Sequence, residues 1–196
     1  MGCNLPFRGV NFRLAKLWLG NYEPFTSEEV SSYVFEVMKL TGQESLIREY
    51  GLQPFKVQVL SIERTFCEKI MSLVRFSQMD DPYTNLSNKI RHVYDIHLML
   101  SNESIKFFFE SAEFYKMLVK VGKDDFISYK NNNAWLEEHP CSALIFKDPE
   151  VTWNHIRSTY RTIFKELVIG KLPNENDLID TLKKIEKRMK PFTWGI

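Results

Sequence analysis

The run Phe55-Lys-Val-Gln-Val-Leu60 alternates apolar and polar residues and passes without a break into Ser61-Ile-Glu-Arg-Thr-Phe-Cys-Glu-Lys-Ile70. The period there changes from two to about 3.6, which constrains this stretch to a strand feeding directly into a helix. Phe66, Ile70, Leu73 and Val74 fall on one stripe of that helix, whereas Glu63, Glu68, Lys69 and Arg75 lie off it. A second helical segment, Lys89-Ile-Arg-His-Val-Tyr-Asp-Ile-His-Leu98, then presents Arg91 and Asp95 one turn apart on one face. A strand leading into a charged helix, followed by a helix with an acid, has the form of half of a phosphate-handling site. Spacing alone favours a plainer reading, the solvated faces of two amphipathic helices.

The rest of the chain reads as mostly helical. Phe12 to Leu19 is expected to be a strand, ended by Gly20-Asn21. Thr26 and Glu29 form a capping-box pattern with Thr26 as the N-cap. Val30, Tyr33, Val34, Val37 and Met38 supply the spacing of the helix behind it, and Gly42 stops that helix. A short helix near 44–50 precedes the 55–60 strand. Further helices are expected at 62–77, 87–100 and 104–121. Asp148-Pro149 opens another, with Trp153, Ile156, Tyr160, Ile163, Phe164 and Leu167 on its buried face and Gly170 at its end. The last, about 175–189, buries Leu178, Leu182, Ile185 and Met189. Residues 122–147 are the least regular stretch and the one expected to form a mobile loop. The fold class expected is α+β: the remnant of a mixed sheet in residues 1–61, packed on a helical bundle in residues 62–196 as one cooperative unit.

Composition narrows the function. Net charge is +1, with 26 Lys and Arg interleaved among 25 Asp and Glu, which argues against a broad electrostatic nucleic-acid surface. Lys183-Lys-Ile-Glu-Lys-Arg-Met-Lys190 is the one distinctly basic run, and on a terminal helix it reads as a solvated face aided by the helix dipole. Cys3, Cys67 and Cys141 are far apart and odd in number, which argues against a disulfide framework. His92, His97, His139 and His155 make no metal-ligand pattern. The start, Met1-Gly-Cys-Asn-Leu-Pro6, has Pro6 where a myristoylation signal carries Ser or Thr. No apolar run reaches the length of a signal core or membrane span, so a reduced, cytoplasmic protein without a membrane role is expected.

Glu63-Arg-Thr-x-x-Glu-Lys69 on a helix after a strand, with Arg91-x-x-x-Asp95 about one helix later, resembles the AbiEii/AbiGii abortive-infection toxins, nucleotidyltransferase-like proteins of bacterial toxin–antitoxin systems. The resemblance runs from about residue 12 to about residue 189. It includes Ile169-Gly170 with Leu172-Pro173 and a closing helix rich in Leu, Ile and Lys. It implies a nucleotidyltransferase-type sheet, NTP and Mg²⁺ as cofactors, transfer of a nucleoside monophosphate to an acceptor such as a tRNA 3′ end, and an antitoxin partner. It implies that Lys69 reaches the triphosphate and that Asp95 orients Lys69 or the attacking hydroxyl. Both are catalytic on this reading. Arg91 and Arg64 would join Lys69 in nucleotide or phosphate binding, with Glu63 and Glu68 supporting.

The resemblance also implies a Gly-Gly/Ser turn and an Asp-x-Asp pair for Mg²⁺ ahead of these helices. Neither is found: Gly9 stands alone, no Asp precedes Asp80, and Asp80-Asp81 sits beside Pro82 in the wrong context. On this reading the chain corresponds to the back two-thirds of a family member, whether by natural truncation, a wrongly assigned start codon or degeneration. No metal ligand is therefore expected within it. Two functions are compatible with this pattern: a nucleotidyltransferase incomplete as an isolated chain, or a non-catalytic module that binds an antitoxin, an RNA or itself.

Overall fold

The computed structural model describes residues 25–129 and 132–196. The chain divides into two compact units, Met1–Ser61 and Ile62–Ile196. The expected strand at Phe12–Leu19 lies outside the described residues.

In the first unit, β1 (Phe25–Val30) pairs antiparallel with β2 (Phe55–Leu60), Phe25 opposite Leu60 and Val30 opposite Phe55. Between them run α1 (Tyr33–Leu40) and α2 (Glu44–Glu49). Thr26 is therefore no N-cap. It lies inside β1 opposite Val59, because pairing with the alternating run of β2 satisfies the backbone from Phe25 to Val30. The helix starts later, where Ser32 accepts a hydrogen bond from the Phe35 amide. Its apolar spacing forms a helix but buries none of its residues, and Leu40 is 85% exposed. Gly42 ends it in the left-handed region at φ +70°, open to glycine without strain. Among the described residues the sheet has two strands and is wholly antiparallel, so it shows no mixed pairing.

The second unit is helical. It comprises α3 (Ile62–Ser77), α4 (Pro82–Ser87), α5 (Ile90–Leu100), α6 (Glu103–Glu110), α7 (Ala112–Ser128), α8 (Leu144–Lys147), α9 (Pro149–Thr159) and α10 (Glu175–Met189). α3 lies at the centre and packs against α4, α5, α6, α7 and α8. Its predicted stripe, Phe66, Ile70, Leu73 and Val74, is buried together with Cys67 and Met71. Phe66, Phe109 and Phe114 meet at ring distances of 5.0 to 6.0 Å. Burying each such side chain contributes about 1.5–3 kcal/mol.

Three helices differ from the spacing. The helix expected at 87–100 begins only at Ile90, and Ser87 instead closes the separate helix α4, which Pro82 opens and Asp81 caps by accepting from the Thr84 amide. The 104–121 segment breaks at Ser111, whose hydroxyl caps α7 by accepting from the Glu113 amide. Arg188 of α10 makes that break stable, donating to the carbonyls of Phe109 (3.0 Å), Glu110 (3.3 Å) and Ser111 (2.8 Å). Carbonyls that a longer helix would use internally are thus satisfied from outside. The third departure comes after α9, where Tyr160–Phe164 form a π turn and Lys165–Leu167 a 3₁₀ turn. A π turn is wider by one residue and rotates the succeeding residues about the helix axis. Tyr160 and Phe164 remain buried, but Ile163 and Leu167, expected in the core, are 69% and 70% exposed.

The stretch 122–147 carries more order than its composition indicates. α7 continues to Ser128, and 3₁₀ turns occur at Ala134–Leu136 and Pro140–Ser142. The C-terminal tail holds this part: Trp194 donates its indole N–H to the Leu136 carbonyl at 2.8 Å, and Tyr115 its hydroxyl to the Thr193 carbonyl at 2.7 Å. A Cβ on Gly122 would stand 2.2 Å from the Ile196 side chain, so the glycine admits the tail against α7.

Candidate functional site

Lys69 stands in the second turn of α3 and Asp95 in the middle of α5. The packing of these helices brings them together: Lys69 Nζ donates to Asp95 Oδ2 at 2.7 Å. Arg91, one turn before Asp95, places Nε 3.5 Å from the same oxygen. The side chains of Lys69 and Asp95 are 19% and 20% exposed, and that of Arg91 is 37% exposed. Two cations thus share the Asp95 carboxylate in a half-buried setting. Such a cluster attracts an anion more strongly than the same charges would in bulk water, because screening weakens with burial. The local i,i+4 pairing of Arg91 with Asp95 is present, and it coexists with the longer-range contact to Lys69.

Arg64 is placed differently from the expectation that it binds phosphate. Its side chain is 1% exposed. Nε contacts Glu68 Oε1 at 3.2 Å and Nη2 contacts Asp124 Oδ2 of α7 at 2.8 Å. A guanidinium committed to two carboxylates in the interior braces α3 against α7, and Glu68 supports it there. Glu63 lies in the first turn of α3, where the helix dipole favours a carboxylate. Asp124 is not marked by the sequence: nothing local in Gly122-Lys-Asp-Asp-Phe126 identifies it as Arg64's partner.

The neighbouring groups pack. Tyr94 meets Phe164 edge-on at 5.2 Å. His97 Nδ1 lies 2.8 Å from the Thr181 hydroxyl, which donates to the Asp177 carbonyl, so the imidazole is the donor in that pair. Burial pushes the Cys67 thiol well up. Burial, then Glu186, pushes that of Cys141 up to about 11, so both stay protonated near neutrality and are poor nucleophiles.

Asp81 is occupied in capping α4, and with Asp80, Glu137, Glu138 and Arg75 it lines an open cleft of about 710 Å³. Among the described residues no group of three His, Cys, Asp or Glu side chains is arranged to hold a metal ion. Asp95, the acid nearest the cluster's cations, is engaged by Lys69 and Arg91. The described residues therefore do not fit a resident Mg²⁺. Nor is any described helix long and apolar enough to cross a membrane.

The elements that carry this cluster lie within a recognised family. Residues 19–181 match the family model described as nucleotidyl transferase AbiEii toxin, type IV toxin–antitoxin system. The chain belongs to the AbiEii nucleotidyl transferase toxin family. Members of such families generally use an NTP and a divalent metal, and a type IV toxin implies an antitoxin partner. No curated protein and no solved structure matches the chain.

Proposed function

We propose that this chain is a nucleotidyltransferase-like toxin protein whose Lys69–Asp95–Arg91 cluster engages the triphosphate of an NTP. The observation that carries the reading is the 2.7 Å contact between Lys69 and Asp95, made across two helices inside the family-matched segment. Lys69 supplies a compact charge for a phosphate oxygen. Arg91, half-exposed beside it, adds a planar donor for a second oxygen. Asp95 holds the lysine in place before the nucleotide arrives, which lowers the ordering cost of binding. In the full reaction a nucleoside monophosphate passes from the NTP to an acceptor hydroxyl, on a tRNA 3′ end by family resemblance. The protein's part is to align that hydroxyl with the α-phosphate and to offset the charge of the departing pyrophosphate.

The sequence has no Asp before Asp80 and so no Asp-x-Asp pair ahead of α3. The chain by itself is therefore read as binding NTP with little turnover. Incubation with labelled NTPs and total tRNA tests this. The expected result is nucleotide binding that Lys69→Ala abolishes, with label transfer only when a segment bearing the carboxylates is added. Transfer by the chain alone, lost in Lys69→Ala, would overturn the account of the metal site. Nucleotide binding unchanged by Lys69→Ala would overturn the site itself.

The same missing carboxylates favour a second reading, a non-catalytic module that binds an antitoxin, an RNA or another copy of itself. It is distinguished by binding to one of these partners that survives Lys69→Ala, without label transfer under any condition.

A further inference from the structure

α3 is held from two sides by ion pairs that start from Arg64 and Lys69. Glu68 pairs with Arg64, which reaches across to Asp124 on α7 at 2.8 Å. Lys69, the next residue, reaches the other way to Asp95 on α5 at 2.7 Å. The side chains that reach the neighbouring helices, Arg64 and Lys69, are five positions apart and so point about 140° apart around α3; the two pairings leave it in different directions and fix both its rotation and its distance from α5 and α7.

We propose that Asp124 is a positioning residue for Lys69. A guanidinium that is 1% exposed relies on paired carboxylates to offset its lost hydration. Among the described residues the carboxylates that meet Arg64 are unequal in exposure, Glu68 at 12% and Asp124 at 25%. Without the Asp124 charge, Arg64 draws more heavily on Glu68, whose backbone is continuous with that of Lys69. The contact tying this end of α3 to α7 weakens at the same time. The result is a changed presentation of the Lys69 ammonium toward Asp95 and toward a bound anion. Asp124 touches no reacting atom and acts through Arg64 and Glu68. The proposal rests on the Lys69 cluster being the phosphate site.

The test uses the full chain with three substitutions: Asp124→Asn, Asp124→Glu and, as a control on the same helix, Val121→Ala, which removes buried apolar volume without touching the ion pairs. Three quantities are measured: the ¹⁵N resonance of the Lys69 side-chain nitrogen, the affinity for ATP, and the melting temperature. Asp124→Asn is expected to shift the Lys69 resonance and weaken ATP binding by about tenfold. Asp124→Glu is expected to restore both toward wild type, and Val121→Ala to lower the melting temperature while leaving the Lys69 resonance in place. A Lys69 resonance unmoved in Asp124→Asn, with only the melting temperature lowered, would overturn the proposal, as would a Val121→Ala shift as large as that of Asp124→Asn. Should wild-type protein fail to bind ATP, the phosphate-site reading falls. The Lys69 resonance then still reports whether Asp124 controls that side chain.

Discussion

Lys69 of α3 and Asp95 of α5 are joined at 2.7 Å although 26 positions separate them in the chain. The pair links the helix that carries the core stripe to the helix that carries Arg91, so the two charged motifs act on each other directly. Because both side chains are only about one-fifth exposed, the contact is worth more than a surface ion pair and less than a fully buried one.

Removing either partner should therefore cost about 1–2 kcal/mol of stability, and a double-mutant cycle of Lys69→Ala with Asp95→Ala should return a favourable coupling. Urea unfolding of the four proteins gives the coupling energy. Additive losses would mean that the pair contributes nothing beyond its separate side chains. On the proposed function, in which the lysine touches the anion and the aspartate orients it, nucleotide binding should be lost in Lys69→Ala and only weakened in Asp95→Ala.

Arg188 should be among the most costly polar side chains to replace. It donates to three consecutive carbonyls at the break between α6 and α7 and stacks 5.2 Å from the Phe192 ring centroid. Arg188→Ala is expected to destabilise the protein by about 2–4 kcal/mol, through unsatisfied carbonyls and lost packing. Arg188→Lys should recover little, because a point charge cannot reproduce the planar fork. Thermal unfolding of both variants, compared with the adjacent exposed Lys187→Ala, provides the measurement.

Glu175 titrates below the usual carboxylate range because Arg161 donates to it, and the Trp153 indole adds a further bond. A carboxyl whose folded pKa is depressed stabilises the fold above its unfolded pKa and ceases to do so as pH falls through the folded value. Stability should accordingly decline as pH drops below about 4.3, the unperturbed glutamate value. Glu175→Gln should be less stable at pH 7 and show a shallower acid slope. Melting temperatures between pH 7 and pH 3 track both; identical acid slopes in the two proteins would rule this contribution out.

The π turn makes a sharp distinction between residues that helical spacing treats alike. Ile163→Ser and Leu167→Ser should each change stability by about 0.5 kcal/mol or less, because both side chains already face water. Phe164→Ala, one residue away but buried against Tyr94, should cost about 3–5 kcal/mol. Costs of similar size at 163 and 164 would point to an uninterrupted α-helix.

Local sequence was sufficient wherever a helix is defined by its own residues. The α3 stripe of Phe66, Ile70, Leu73 and Val74, the Leu178, Leu182, Ile185 and Met189 face of α10, and the stop at Gly42 all come from a repeat within one segment and the freedom of glycine at positive φ, whereas the run expected to end at Gly170 ends at Leu167, with Val168 already extended. The order of the charged motifs was enough to indicate the family. Tertiary structure decided what depends on a distant group. Thr26 sits in a strand because β2 pairs with it, the helix breaks at Ser111 because Arg188 arrives from α10, and Ile163 turns outward because Tyr160 and Phe164 seat against other elements. The site divides the same way. Family resemblance marked Lys69, Arg91 and Asp95, with spacing placing Arg91 and Asp95 on one face, but only packing joins Lys69 to Asp95 and commits Arg64 to Asp124. A side chain's periodicity records which way it faces on its own helix. Its partner is set by the burial of all the helices together, a property that no short window of sequence contains.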